Sequence, residues 1–134
     1  MTEQTRIELI KGNIIEAKCF GNPSITENGY IAVEDGVIAG VFAELPEQYQ
    51  NIPVTDHTGR LILQGFCDMH LHAPQFPMLG MGMDLPLLDW LKTYTFKTEA
   101  CFSDAYYARR VYQKLAEELI KNGTTRVCVY SSVH

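Results

Sequence analysis

Gly65-Phe66-Cys67-Asp68-Met69-His70-Leu71-His72 is a short, mostly apolar run that ends in two histidines one residue apart. Its length and composition predict a β-strand buried on both faces, as in a parallel sheet. Side chains alternate along a strand, so His70 and His72 point the same way, and Cys67, of opposite parity, points away. Two imidazoles projecting together from a strand end make half of a metal site. Neutral imidazole ligates zinc, iron or nickel, and a hydrolytic centre needs at least one more protein ligand and an open position for water. The bland alternative is a pair of structural histidines, because His-x-His is a short pattern. Asp68 shares the parity of both histidines. It either accepts a hydrogen bond that orients an imidazole or is a polar residue of the inner packing.

Downstream, a long loop is expected through Pro74, Pro77, Gly80, Gly82 and Pro86, and a short helix at Leu87-Leu88-Asp89-Trp90-Leu91. Ser103 is the expected N-cap of a helix from Asp104 to about Lys121, with Ala108, Val111, Tyr112, Leu115, Leu119 and Ile120 on one stripe. Asn122-Gly123 should end it, and Thr124 to Tyr130 reads as a second strand. Strand, helix-bearing crossover and strand make a βαβ unit. Two strands do not satisfy each other's outer backbone groups, so a parallel architecture is expected to continue beyond His134.

Upstream, residues 6 to about 64 read as a small antiparallel β-unit. A first strand over Ile7 to Ile15 is expected to break at Gly12-Asn13, and Gly21-Asn22-Pro23-Ser24 to form a turn. Asp35-Gly36 between Tyr30–Val33 and Val37–Phe42 is a hairpin signal. Leu45 to Tyr49 suggests a helical turn, and Val54 to Leu63 a further strand interrupted at Thr58-Gly59. His57 fits a turn or surface position better than a ligand.

With 134 residues, 46% hydrophobic and 20% charged, the chain has the composition of a soluble globular protein. Acidic residues outnumber basic ones 16 to 11, giving a net charge of −5, which argues against a nucleic-acid surface. No apolar run reaches the length of a membrane span. The polar start Met1-Thr2-Glu3-Gln4-Thr5-Arg6 predicts no signal peptide. Cys19, Cys67, Cys101 and Cys128 are widely spaced and predict free thiols in a reducing cytoplasm, buried as small apolar residues.

Gly65-Phe66-Cys67-Asp68-Met69-His70-Leu71-His72 resembles the first barrel strand of the metal-dependent amidohydrolase superfamily, where Gly-Phe-x-Asp-x-His-x-His is usual. The stretches His72-Ala73-Pro74-Gln75-Phe76, Met83-Asp84-Leu85-Pro86-Leu87-Leu88-Asp89-Trp90-Leu91, Tyr94-Thr95-Phe96, Thr98-Glu99, Asn122-Gly123-Thr124-Thr125 and Ser132-Val133-His134 narrow the resemblance to the guanine deaminase family. Gln64 and Arg126 depart from it, where Pro and a third Thr are common. The resemblance implies an α/β fold: the start of a (β/α)8 TIM-type barrel (residues 65–134) preceded by a small antiparallel β-sandwich portion (residues 1–64), cut after the second barrel strand. It implies hydrolytic deamination of guanine to xanthine and ammonia by a metal-activated water. One Zn2+ per complete site is expected, with another divalent metal as the alternative. His70 and His72 would be its ligands, and His72, Ala73, Pro74 and Gln75 would line the substrate. The remaining His and Asp ligands and the proton-shuttling Glu would lie beyond His134, so no catalytic carboxylate is expected within the chain.

Gln75, with one acceptor and two donors, suits the mixed edge of guanine; otherwise it is an exposed loop residue. Trp90 and Phe76 could stack on a purine but fit core positions better. Guanine is the expected partner, without nucleic acid or membrane, and the resemblance admits a homodimer for the complete enzyme. The competing readings are another amidohydrolase acting on a nucleobase or related heterocycle, and a non-catalytic metal-binding fragment.

Overall fold

The computed structural model describes residues 5–134; residues 1–4, and with them most of the polar N-terminal stretch, lie outside it. The chain forms a mixed α/β fold in two compact units, one through Gln64 and the other Gly65–His134.

The first unit is one four-stranded sheet of order β3-β2-β1-β4, with β1 (Ile7–Cys19), β2 (Asn22–Glu34), β3 (Val37–Phe42) and β4 (Val54–Leu63). Asp35 and Gly36 both take positive φ, +48° and +82°, and close the β2–β3 hairpin with Glu34 opposite Val37. Such a two-residue turn matches the twist of the strands it joins. Gly12-Asn13 does not break β1; it forms an irregularity in a continuous strand, and Asn13 spends its side chain on the Asn28 N–H at 3.0 Å. The expected turn at residues 21–24 is tighter than its composition suggests. Cys19 faces Asn22 across Phe20-Gly21, so Asn22, Pro23 and Ser24 are already strand.

The antiparallel expectation holds for β1, β2 and β3 only. β4 runs parallel to β1, because the stretch after β3, with a 3-10 turn at Glu47–Tyr49, returns the chain before the next strand starts. Among the described residues this unit is a single four-stranded sheet. Its core is Leu9, Ala32 and Tyr49, flanked by Ile7, Phe42, Leu45 and Ile52. The Tyr49 hydroxyl donates to Glu34 Oε1 at 2.8 Å, which satisfies the polar end of a buried ring. Thr58-Gly59 lies in a bulge where β4 loses register with β1 between Asp56 and Leu61. Asp56 accepts the Thr58 N–H at 2.7 Å there, and hydrogen bonding from Thr58 holds its carboxyl below the usual carboxylate range. His57 lies in that same bulge, on a unit separate from the other histidines.

The second unit is a βαβ arrangement. β5 (Phe66–His72) pairs in parallel with β6 (Thr124–Tyr130). The expected long loop opens with a 3-10 turn and is turns from Leu79 to Pro86, and the short helix expected at residues 87–91 extends on to Ser103. A 3-10 turn at Ala73–Met78 follows β5 directly, and α1 (Leu87–Trp90), a π-helical turn at Leu91–Thr95, α2 (Phe96–Ala100) and a 3-10 turn at Cys101–Ser103 follow one another without a break. Prolines at 74 and 77 suit a short 3-10 turn, in which few backbone N–H groups need partners.

α3 (Ala105–Lys121) starts one residue later than expected. Asp104, not Ser103, is the cap, and its carboxylate accepts from the N–H groups of Tyr106 at 2.9 Å and Tyr107 at 3.4 Å. Ser103 instead donates to the Ala100 carbonyl at 2.8 Å, closing the turn before it. Leu115 is the buried centre of the stripe, whereas Ile120 is off it and 70% exposed. The helix ends at Asn122-Gly123, with Gly123 N–H bonded to the Ile120 carbonyl at 2.9 Å.

β5 is more exposed than a strand covered on both faces: Phe66 and Met69 are open, because β6 is its only sheet neighbour among the described residues. All four cysteines are free, as expected, but exposed rather than buried. For Cys67 and Cys128, on β5 and β6, the reason is the same. No described helix is long and apolar enough to cross a membrane.

Gly65 is fixed by packing. A Cβ there would overlap the Thr125 side chain, which crowds the start of β5 where β6 carries an extra residue opposite it. Gly65→Ala is expected to destabilise the fold by about 1–3 kcal/mol through overpacking. Chemical denaturation checks this, and Gly65→Ala combined with Thr125→Gly should regain most of the loss.

Candidate functional site

The C-terminal end of β5 carries the two histidines, and a bulge sets how they stand. Asp68 pairs with Val127 and Leu71 with Val129, so Met69 and His70 together face Cys128 alone. Such a bulge re-aims the side chain it carries. His70 Nε2 and His72 Nε2 lie 3.0 Å apart, their rings 5.0 Å between centroids. Without a cation, one nitrogen donates and the other accepts. Two ring nitrogens this close suit a shared cation: zinc–nitrogen bonds of about 2.0–2.1 Å at a tetrahedral angle set two nitrogens about 3.3–3.4 Å apart. The donor set therefore fits half of a zinc-like site. Among the described residues no group of three or more His, Cys, Asp or Glu side chains gathers around one point.

Tyr130 holds the pair from the neighbouring strand. It is the register partner of His72, and their rings stack at 5.0 Å and 15°; His70 tilts onto the same ring at 4.7 Å and 41°. Nothing in the Tyr130 sequence context marked it, because the contact depends on the parallel alignment of two strands 58 positions apart in His72 and Tyr130. Asp68 Oδ1 accepts the backbone N–H of His70 at 3.0 Å. Its carboxylate thus anchors the main chain at the bulge and does not reach an imidazole through that bond. Cys67 Sγ lies 3.3 Å from Met69 Sδ, consistent with these two sharing a side.

Ala73 and Pro74, next after His72, are buried at the start of the 3-10 turn. Gln75 is half-buried. Its Nε2 donates to Glu99 Oε1 on α2 at 3.3 Å. A cleft of about 340 Å³ is lined by His70, Leu71, His72, Gln75 and Phe76, and by Leu115 and Glu118 of α3. The hydrogen bond from Lys114, at 3.1 Å, and then the charge of Lys121 hold the Glu118 carboxyl below the ordinary carboxylate range. Phe76 therefore borders the cleft. Trp90 does not: its Nε1–H donates to the Met81 carbonyl at 2.8 Å, a loop-bracing role. Thr95, one helical turn before Glu99, is buried, and its hydroxyl has no partner among the described residues. His134 is exposed at the end of the chain.

Residues 61–134 match the model of the amidohydrolase family. The chain is 34% identical to the guanine deaminase of Dictyostelium discoideum over 96% of its own length and 32% of that protein. It is 32% identical to the guanine deaminase of Escherichia coli K12, over 100% of this chain and 33% of that one. Among solved structures, the guanine deaminase of C. acetobutylicum with guanine bound in its active site superposes with a TM-score of 0.91 at 43% identity, over 96% of this chain and 31% of that one. The chain spans about a third of the length of these relatives. With the family's model matched over more than half of its residues, the histidine-bearing strand included, the chain belongs to the amidohydrolase family.

Proposed function

We propose that this chain provides the first two strands of a (β/α)8 barrel and, with them, part of the metal and substrate site of a zinc-dependent guanine deaminase. The observation that carries this reading is the convergence of His70 Nε2 and His72 Nε2 to 3.0 Å at a strand end. Guanine deaminase relatives over nearly the whole chain support it. In this reading residues 1–64 belong to a β-sandwich and 65–134 to the barrel's first βαβ unit. The further ligands and the proton-carrying Glu come from the two-thirds of the relatives' length that this chain does not span.

Guanine and water give xanthine and ammonia: a C–O bond forms and the C–NH2 bond breaks at the same ring carbon. A bound divalent metal would supply acidified water near neutral pH. The chain's own residues do the rest of what falls to them. His70 and His72 would hold the cation, with their rings kept in place by Tyr130 and their strand pinned by Asp68. Ala73 and Pro74 form a wall that excludes water, and Gln75 meets the polar edge of the base. The four free thiols suit a reducing compartment, in keeping with a cytoplasmic enzyme.

The test is ammonia release by the full-length protein across a panel of purines and pyrimidines, with metal analysis of the same sample. Guanine preference with one zinc per site is expected; a different preferred base or a metal-free active protein overturns the reading. Gln75→Ala is expected to lower kcat/KM for guanine by about 1–3 kcal/mol, roughly five- to 160-fold, with metal content unchanged. Steady-state kinetics beside metal analysis check it, and an unchanged kcat/KM removes Gln75 from the site.

A further inference from the structure

We propose that Glu99 is a positioning residue for specificity, which fixes the Gln75 side-chain amide in one orientation and so selects a lactam edge over an amidine edge in the ligand. The proposal rests on the guanine-directed reading above. A glutamine amide is nearly symmetric in shape, and by itself flips to present either its oxygen or its nitrogen. Here the choice is made. An ionised carboxylate only accepts, so the group facing Glu99 Oε1 at 3.3 Å is Nε2–H and not the Gln75 oxygen. Both side chains are half-buried, which limits competition from water for this bond. They stand on different elements, the 3-10 turn after β5 and α2, so the bond also ties the loop to a helix.

One Nε2–H is then committed. Gln75 Oε1 and the second Nε2–H remain, and with the hydrogen anti to Oε1 given to Glu99 they lie side by side in fixed order. That pair complements a cyclic amide, whose ring N–H donates to Oε1 while its carbonyl accepts from Nε2–H. Guanine carries such an edge beside the carbon that bears its amino group. A 6-aminopurine edge presents the reverse order, a ring nitrogen that accepts and an amino group that donates, and pairing with it requires the flipped amide. The flip would set the Gln75 oxygen against the Glu99 carboxylate, acceptor against acceptor. Glu99 thus excludes the wrong edge by a penalty placed behind the residue that touches the ligand.

The probe is 2,6-diaminopurine, which keeps the 2-amino leaving group and replaces the lactam by an amidine. In the full-length protein, Glu99→Gln preserves shape but offers both a donor and an acceptor, so Gln75 can flip. The guanine to 2,6-diaminopurine ratio of kcat/KM is expected to fall at least about tenfold (1.4 kcal/mol), with guanine losing and diaminopurine gaining, and with metal content unchanged. Equal losses on both substrates, with the ratio unmoved, mark a merely structural Glu99 and overturn the proposal. Glu99→Asp, which keeps an acceptor-only group, should retain most of the ratio. If the unsubstituted protein does not deaminate guanine, the functional reading fails, and the Glu99 assignment is read from Gln75 itself. Its Nε2–H protons should then exchange with solvent more slowly in the unsubstituted protein than in Glu99→Gln, and equal exchange rates overturn it.

Discussion

His70→Ala and His72→Ala in the full-length protein are each expected to strip most of the bound metal and to lower kcat for guanine by at least about 10³-fold. Both imidazoles lie on one face with their Nε2 atoms 3.0 Å apart, so each supplies a nitrogen that the other cannot replace. A hydrolytic metal contributes several kcal/mol to the transition state, and about 4 kcal/mol already corresponds to a thousandfold. The effect should not be a folding artefact. Both side chains are exposed, so truncation leaves no buried cavity. His57→Ala is the control: it removes an imidazole from the bulge of the first unit and should leave metal and turnover unchanged. Metal analysis after dialysis, with thermal unfolding of the same samples, checks the set. Full metal stoichiometry in either single variant removes that histidine from the site.

How far the sequence carried these conclusions depends on the range of the interaction. The strand at 66–72 and its same-facing histidines rest on a two-residue period, and that period survives in the structure. The Asp35-Gly36 hairpin and the Asn122-Gly123 helix end rest on local backbone chemistry and were equally legible. Where two local solutions compete, the sequence misled by a residue. Ser103 and Asp104 are both good caps, and the carboxylate takes two N–H groups while the hydroxyl closes the preceding turn. The direction of β4 was not legible, because the strand's own residues do not say whether the preceding connection returns the chain. Cysteine burial failed because apolar character predicts burial only when something lies on top. The Gln75–Glu99 bond spans 24 positions and the Tyr130 stack depends on strand register, so no local pattern could place either.

The 134-residue chain expressed alone is expected to release no ammonia from guanine and to aggregate. Its described residues offer two imidazoles and no third ligand gathered with them, too few to hold a hydrolytic zinc against water and buffer. The second unit has only two strands, and each leaves a row of backbone groups on its outer edge without a strand partner. Phe66, Met69, Val129 and Tyr130 on those strands are all exposed, as are Leu79, Met83, Leu87 and Leu88 in the crossover. Exposed apolar surface of this kind next to open edges favours edge-to-edge pairing between chains. The first unit is better placed, because its four strands share a buried core around Leu9, Ala32 and Tyr49. Limited proteolysis is therefore expected to leave a more resistant fragment ending near Gln64 and to degrade Gly65–His134 first. Light scattering and an ammonia assay with added zinc decide the matter. A monodisperse chain that turns over guanine would require a metal site completed between two copies, each bringing its His70 and His72, and would displace the reading in which the other ligands lie on further strands of the barrel.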